Sequence, residues 1–354
     1  MVKRAWCISD IHWGCRSNTI EWLEIVRDYH KEFLIPHLKK NKKEGDILYI
    51  SGDIFDSRQS IGLNALNMAL ECYDEISKIM PIYMILGNHD IFNKSTNEVN
   101  SVKPLKYLNN VFVYEEPEFV KWGGKDILLM PWRKDHQTEK EFLTGKKADY
   151  LLCHTDFVGA KNNAVTKVEH GNGIDLVKDI KKVYSGHIHW TQKIGNVTFF
   201  GSPYQMTRSD IGNTKKLWLL DFENDTEEII YNNYSPSFIK MHIKDLLNMS
   251  PMVANRAFAN NFVDLQIPNK LLDIIEVKDL HYWLSDYRRL TIQTLSDDLV
   301  ELEEGELEKS TSILDTINEY IKKKEYSDKI KSLAYTKILD LFSKVENGKN
   351  VDNN

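Results

Sequence analysis

The stretch VYSGHIHWTQ, residues 183–192, carries two histidines, His187 and His189, separated by a single isoleucine. An apolar run and a glycine precede the pair, so the histidines stand where a strand is predicted to end. Side chains two residues apart in an extended segment point to the same side of the chain. The pair is therefore either a surface accident or a set of ligands for one metal or for two adjacent metals.

The same arrangement recurs earlier in the chain. Five short apolar runs predict buried strands: RAWCIS (4–9), DILYIS (46–51), PIYMIL (81–86), DYLLC (149–153) and KVYS (182–185). Each run is followed at once by polar side chains, which include Asp10, His12, Asp53, Asp56, Asn88, His89, Asp90, His154, His187 and His189. Because ligands gather beyond the carboxyl ends of strands in open α/β sheets, these side chains are predicted to meet at one edge.

Seven of these side chains are candidate metal ligands, namely Asp10, His12, Asp53, Asn88, His154, His187 and His189. Seven groups exceed the roughly four to six that one transition metal needs, so the pattern predicts two ions that share one carboxylate. Imidazoles mixed with carboxylates and an amide oxygen suit manganese, iron or zinc better than magnesium alone. Two ions about 3.5–4 Å apart can stabilise both the attacking and the leaving oxygen of a phosphoryl displacement.

Longer runs with helical spacing, at 18–40 and 62–79, alternate with the first strands and predict an α/β layer with at least partly parallel strands. A hairpin is predicted within 118–132 around Gly123 and Gly124, and further strands follow it. Two sheets are therefore expected, and a β-sandwich flanked by helices fits the pattern.

The chain is predicted to divide into four segments. Residues 1–235 hold every polar cluster, and 236–300 read as a small mixed α+β unit. Residues 301–311 form an acidic linker, with five glutamates in the ten residues from 301 to 310. Two helical patterns follow within 312–346, either as helices that fold back onto the body or as a binding segment for a partner.

Composition sets broad limits on the class of protein. The chain has 354 residues, is 42% hydrophobic and has a formal net charge of −6, which is only weak evidence against a nucleic-acid substrate. Its four cysteines show no CxxC spacing, so neither a disulfide framework nor a zinc knuckle is expected. Without a signal peptide or an apolar run of about 18 residues, we expect a cytoplasmic protein that contacts no membrane.

At the five polar clusters the chain resembles the calcineurin-like metallophosphoesterase superfamily, whose signature is DxH, GDxxD, GNHD, a lone histidine and GHxH. Within that superfamily, GDIFDSR (52–58), MPW (130–132) and GSPYQM (201–206) are similar to the SbcD-type DNA repair nucleases. They are most similar to the phage recombination endonuclease subunits. Protein phosphatases usually have GDYVDRG and GNHE instead, and this chain has neither.

The resemblance implies a two-sheet sandwich flanked by helices and a site for two divalent ions, of which manganese is the expected metal. It assigns Asp10, His12, Asp53 and His189 to one ion and Asp53, Asn88, His154 and His187 to the other. His89 would donate a proton to the leaving oxygen or stabilise charge on the phosphate. Asp90 would orient His89, and Asp56 would act from beside the ligands. Arg58 would contact phosphate, although an arginine after such a loop is often only solvated.

By the same resemblance the expected activity is metal-dependent hydrolysis of DNA phosphodiester bonds, as an exonuclease or endonuclease. The 236–300 unit would cap the DNA, and 312–346 would bind the coiled coil of an SbcC-type ATPase. A homodimer in the cytoplasm, the host's if the protein is phage-encoded, is also implied. Two alternatives stay open: a small-molecule nucleotide phosphodiesterase of the same fold, and a catalytically silent scaffold for DNA ends.

Overall fold

The computed structural model describes residues 1–93, 96–133, 135–272, 280, 284 and 286–295. The described residues before Pro268, with those from Leu280 to Gln293, form one compact unit. The other described residues, Pro268 to Leu272 with Thr294 and Leu295, belong to a second unit. The predicted acidic linker at 301–311 and the predicted helical segment at 312–346 lie outside the described residues.

Strands and helices alternate through the first half of the chain, and strands dominate the second. The strands are β1 (Arg4–Ile8), β2 (Asp46–Ser51), β3 (Ile82–Ile85), β4 (Ile91–Asn93), β5 (Thr96–Asn100), β6 (Val111–Tyr114), β7 (Glu118–Trp122), β8 (Lys125–Met130), β9 (Ala148–Cys153), β10 (Ile180–Ser185), β11 (Gln192–Ile194), β12 (Val197–Phe199), β13 (Lys216–Asp221), β14 (Thr226–Tyr231), β15 (Phe238–His242), β16 (Phe262–Pro268) and β17 (Arg289–Leu295). The helical segments are α1 (Cys15–Asn18), α2 (Ile20–Asp28), α3 (Ile35–Asn41), α4 (Leu63–Ile79), α5 (His136–Leu143), α6 (Ile243–Leu247), α7 (Pro251–Phe258) and α8 (Asn269–Leu272). The short α1 is a left-handed turn, because Arg16, Ser17 and Asn18 all have positive φ. No described helix is long and apolar enough to span a bilayer.

Two six-stranded sheets form the body of the protein. The first has the order β14-β13-β1-β2-β3-β6, in which β1, β2, β3 and β6 run parallel. The second has the order β11-β12-β10-β9-β8-β7, with a parallel centre from β12 to β8. The five predicted strands are confirmed as β1, β2, β3, β9 and β10, and the hairpin around Gly123 and Gly124 is confirmed as β7 and β8.

The two sheets pack face to face, as the alternation of side chains along β1 shows. Ala5 and Cys7 point into a core that they share with Leu129 of β8 and Leu152 of β9, on the other sheet. The side chains between them point the opposite way, where Trp6 and its neighbours pack against α2 and α4. A third core lies outside the second sheet and includes residues of α5. Because side chains alternate between the faces of a strand, one sequence can supply both a sandwich core and a helix-covered face.

The predicted helix at 18–40 begins at Ile20 in the structure and is interrupted once. Between α2 and α3, residues Tyr29–Leu34 form a turn of π-helix. Pro36 stands at the start of α3 and has no N–H to donate to the preceding turn. Within the π-helical turn, His30 is buried against Trp13 and Tyr73, with Nδ1 2.7 Å from the Val26 carbonyl oxygen. The wider turn therefore accommodates both the proline and a buried polar ring.

The region predicted to be a small mixed unit contains a three-stranded sheet, in the order β15-β16-β17, together with α6 and α7. Its aromatic side chains pack on the body, because Trp22 of α2 stacks on Phe238 and Phe262 with centroids 6.2 Å and 5.5 Å apart. Arg208 also forms a two-pronged ion pair with Asp264 of β16. The small sheet is therefore held against the body by aromatic packing as well as by an ion pair.

The side chain of Asp46, the first residue of β2, links the start of β2 to β1 through hydrogen bonds. Its carboxylate accepts hydrogen bonds from Arg4 Nε at 2.7 Å, from Trp6 Nε1 at 3.1 Å and from the Lys43 N–H at 2.9 Å. The side chains of Asp46 and Arg4 are only 1% and 12% exposed. A pair this well shielded from water loses more when one partner is removed than an exposed pair does.

Asp46→Ala should lower the free energy of unfolding by about 3 kcal/mol, because it leaves Arg4 and Trp6 with unpaired buried donors. Asp74→Ala is the control: Asp74 pairs with Lys78 on the exposed face of α4, and its loss should cost less than about 0.5 kcal/mol. Urea denaturation followed by circular dichroism measures both. Equal shifts for the two variants would contradict the role given to Asp46.

Candidate metal centre

The carboxyl ends of five parallel strands, three from the first sheet and two from the second, bring the seven candidate ligands to one edge of the sandwich. Asp10 follows β1, Asp53 follows β2 and Asn88 follows β3, while His154 follows β9 and His187 follows β10. Five of the seven residues are at most 9% exposed, and His187 and His189 are half-buried. The edge is therefore a pocket of polar groups largely removed from water.

One cluster consists of Asp10, His12 and His189. One ligand atom from each lies within 4.8 Å of the others. The Nε2 atoms of His12 and His189 are 3.1 Å apart, and His189 Nε2 is 3.9 Å from Asp10 Oδ1. The two histidines are 177 residues apart in the sequence, and the packing of the two sheets brings them together in space.

A second cluster consists of Asp53, His154 and His187, again with one ligand atom from each within 4.8 Å of the others. Asn88 belongs to the same cluster through its amide oxygen, which is 3.0 Å from His154 Nε2 and 2.7 Å from His187 Nδ1. The structure thus brings all seven candidates together, in two groups.

Asp53 connects the two clusters. Its Oδ2 is 3.3 Å from His154 Nε2 and 3.7 Å from His12 Nε2, while its Oδ1 accepts a 2.7 Å hydrogen bond from the His89 N–H. Burial alone would raise the pKa of Asp53, but the adjacent His154 and His12 outweigh burial and hold that pKa well below its usual range. Burial would lower the pKa of His154, and Asp53 instead raises it to about 9. The centre therefore favours positive charge beside Asp53.

The donor atoms fit a divalent cation. Asp10 Oδ2 is buried without a hydrogen-bond partner among the described residues, which is costly unless another ligand satisfies it. Burial, with the neighbouring His154, lowers the pKa of His187 to about 3, and burial with His12 lowers that of His189 well below its usual value. Neutral imidazoles are the form that binds metals, and their mixture with carboxylate and amide oxygens suits a borderline transition metal.

The backbone at the centre is strained. Asp10, His12, Asp53 and His187 all have positive φ, between 52° and 74°, which costs a non-glycine residue roughly 1 kcal/mol or more. Asp90 offsets part of this cost by accepting hydrogen bonds from the N–H groups of Asp53 and Gly87, both at 2.8 Å, and of Ile54 and Phe55.

Asp90 and His89 are placed differently from the sequence expectation. The sequence predicts that Asp90 orients His89, but its carboxylate oxygens accept from the backbone of the two ligand loops. The ring of His89 is held instead by the Asp56 carbonyl oxygen, 2.6 Å from Nδ1. The Asp56 carboxylate also lies 3.4 Å from His12 Nδ1, so His12, Asp56 and His89 form a third group of close side chains.

Three residues near the centre have roles that the sequence does not reveal. Gly87 and Gly186 are visible in the sequence only as the glycines of GNHD and GHxH, but they lie where a β-carbon would collide with Asp53 and with Ser9. Lys215, 4% exposed, donates to the His189 carbonyl oxygen at 2.8 Å and to Asp210 Oδ1 at 2.6 Å. Nothing in the spacing around Lys215 marks it, because its partners come from other loops.

Comparisons with known proteins identify relatives of this chain. Residues 3–191 match the family model described as calcineurin-like phosphoesterase. The chain is 30% identical over 257 residues to exonuclease subunit 1 of Enterobacteria phage T4, covering 70% of this chain and 75% of the relative. It is 23% identical over 255 residues to putative phosphoesterase 244L of Invertebrate iridescent virus 6, covering 70% and 86%. A solved archaeal phosphodiesterase, 11% identical, overlays 65% of this chain and 99% of its own at a TM-score of 0.33.

Gly186→Ala should damage the centre, because the new β-carbon would lie 2.7 Å from His154 Nδ1 and closer still to Ser9 Oγ and the Ser51 carbonyl oxygen. We expect a loss of about 2–3 kcal/mol in the free energy of unfolding and of about tenfold or more in metal affinity. Both are measured, by urea denaturation and by titration calorimetry with manganese.

The matched control is Gly173→Ala. Gly173 also has a negative φ, and the only described side chain close to its added carbon is the movable carboxylate of Asp175. The control should keep wild-type metal affinity and lose less than about 1 kcal/mol of stability. Wild-type metal binding by Gly186→Ala would contradict the tight packing assigned to this edge.

Proposed function

Because the chain belongs to the calcineurin-like phosphoesterase family, we propose that it is a metal-dependent nuclease that hydrolyses phosphodiester bonds of DNA. The observation that carries the proposal is the position of the Asp53 carboxylate, within 3.7 Å of one histidine from each of two ligand clusters. DNA as the substrate is supported by the resemblance to a phage exonuclease subunit, which shares 30% of its residues with this chain over the aligned length.

We assign the ligands of two ions as the clusters suggest. Asp10, His12, Asp53 and His189 would hold one ion, and Asp53, Asn88, His154 and His187 would hold the other. Manganese is the proposed metal, because it accepts both imidazole and oxygen ligands. Divalent ions in these places would lower the pKa of a water molecule and take up negative charge on the phosphate oxygens.

His89 is proposed as the group that protonates the leaving sugar oxygen. A carbonyl oxygen can only accept a hydrogen bond, so the 2.6 Å contact with Asp56 places a proton on Nδ1 of His89. The ring can then deliver a proton only from Nε2, in its imidazolium form. The carboxylate of Asp56 lies in the same close group of side chains. Asp90 acts through the backbone that presents Asp53 and is a positioning residue.

Arg58 is proposed to bind the phosphate beside the metal centre. No hydrogen bond or ion pair joins its side chain to another residue in the described part of the chain, and it lines a cavity together with Asn88 and His187. A guanidinium without a carboxylate partner is suited to a phosphate. The sheet of β15 to β17 would add contacts to the DNA backbone, which position a duplex without reading its sequence.

The protein is further proposed to act as a subunit of a larger complex. The phage T4 relative is described as a subunit of an exonuclease. Residues 312–346, outside the described part of the chain, would bind the coiled coil of an SbcC-type ATPase through the two apolar faces that the sequence pattern predicts. A homodimer of this chain would complete the complex.

Asp53→Asn should reduce manganese-dependent cleavage of linear DNA by at least about 100-fold, because it removes a negative charge shared by two cations. Wild-type protein, this variant and His170→Ala, a substitution of an exposed histidine, are compared with and without manganese. The control should cleave at the wild-type rate. Wild-type cleavage by Asp53→Asn would refute the shared-ligand assignment, and hydrolysis of a chromogenic phosphodiester without cleavage of DNA would favour a small-molecule phosphodiesterase.

His89→Ala and His189→Ala should separate proton transfer from metal binding. His89→Ala should retain bound manganese and DNA affinity yet lose about 100-fold or more in kcat, the usual size of a general-acid contribution. His189→Ala should lose manganese as well as activity. Elemental analysis of both proteins, with single-turnover cleavage, distinguishes the roles. Equal loss of manganese in the two variants would make His89 an ordinary ligand.

A further inference from the structure

A cavity of about 340 Å³ adjoins the metal centre, and Asn88 and His187 line it. The same two side chains contact each other at 2.7 Å within the second ligand cluster. A ligand in the cavity would therefore lie next to any phosphate held at that cluster. The volume falls in the range of about 300–1,000 Å³ that small-molecule sites occupy.

Among the described residues that line this cavity, Arg58 supplies positive charge that no carboxylate engages. A second arginine in the wall, Arg133, is already engaged by Glu116 at 2.7 Å. The Arg58 side chain has no such partner among the described residues. One phosphate group next to the second ligand cluster would satisfy this guanidinium.

Trp132 presents a half-buried indole in the wall of the same cavity. Trp132 follows the end of β8. Its backbone N–H donates a 2.8 Å hydrogen bond to the carbonyl oxygen of Leu86, the residue just before the loop of Asn88. The backbone of the tryptophan is thus tied to the loop that carries a ligand. An anchored aromatic face beside a phosphate site is the arrangement on which a nucleobase stacks.

The remaining wall is acidic and rich in hydrogen-bond acceptors. His136 Nδ1 is 3.4 Å from Glu139 Oε2 and 3.6 Å from Asp156 Oδ1. Asn172 and Thr155 donate to Glu139, which keeps this carboxylate in place. A second phosphate would be repelled here, whereas a sugar hydroxyl or a base N–H would find acceptors. Charge therefore favours a ligand with one anionic group and a neutral remainder.

We propose that this cavity binds the nucleoside that flanks the scissile phosphate, with its base stacked on Trp132 and its phosphate at Arg58. The inference rests on the proposed nuclease function and names the part of the substrate that the site recognises. It gives the enzyme a preference for a strand that carries a base at the cut, without a preference for which base.

The test compares matched DNA duplexes that carry either thymidine or a tetrahydrofuran abasic unit beside the cleaved bond, on each side of it in turn. Wild-type protein with manganese should have a KM about 5- to 150-fold lower for the thymidine duplex in the arrangement that fills the cavity, the range set by one base–aromatic stack. Trp132→Ala should lose this preference, so that its KM values for the thymidine and abasic duplexes become equal.

Trp132→Phe retains an aromatic face and should keep most of the preference. Trp190→Ala, which removes a half-buried tryptophan that does not line the cavity, should keep all of it. Manganese content and melting temperature verify that each variant is folded and loaded. If Trp132→Ala does not fold, Trp132→Leu takes its place, because leucine keeps apolar packing but offers no ring.

A wild-type preference in folded, metal-loaded Trp132→Ala would overturn the proposal, as would equal KM values of the wild-type protein for all the duplexes. If the wild-type protein cleaves no DNA, the nuclease function fails separately. The cavity is then tested by calorimetry with thymidine monophosphate. Binding that Trp132→Ala weakens would support the site, and binding unchanged or absent in both proteins would overturn it.

Discussion

The contact between the Asp53 carboxylate and His154 is the interaction on which the site depends, because it joins the two sheets of the sandwich. Asp53 follows β2 of the first sheet and His154 follows β9 of the second, and Oδ2 and Nε2 are 3.3 Å apart. Two hydrogen bonds to backbone carbonyl oxygens also join the sheets here. His154 Nδ1 lies 2.6 Å from the Ser51 carbonyl oxygen, and Ser51 Oγ donates to the Cys153 carbonyl oxygen at 2.6 Å. Any change in the packing of the sheets would therefore move the ligands.

At this edge of the molecule, buried charge and backbone strain are both unfavourable to the free energy of folding. Burial raises the pKa of Asp10, and four ligand candidates hold a strained backbone. Asp90 answers the strain with its hydrogen bonds to the ligand loops, and burial, with Asp53, raises the pKa of its carboxyl to about 7. A strained backbone persists when the surrounding structure holds it in place. Backbone strain and shifted pKa values are found most often at functional sites.

The loop from Tyr204 to Lys215 links the metal centre to the sheet of β15 to β17. Lys215 donates hydrogen bonds to the His189 carbonyl oxygen and to Asp210, and Arg208 of the same loop pairs with Asp264 on β16. Tyr204 reaches back to donate to the Ile11 carbonyl oxygen, between the ligands Asp10 and His12. One short segment thus contacts both the first ligand cluster and the small sheet, so the two are held in register by direct hydrogen bonds.

The identity of the chemical groups was readable from the sequence, because each candidate ligand comes directly after an apolar run, and strands with their ends are local properties of the chain. The sandwich was also readable, from the alternation of apolar runs and helical patterns. Distances were not: His12 and His189 are 177 residues apart, and only the packing of two sheets brings their nitrogens to 3.1 Å. The π-helical turn, the hydrogen bonds of Asp90 and Lys215, and the cavity beside Trp132 likewise depend on partners from distant loops. No local pattern encodes such contacts, since they arise only when separate elements share one core.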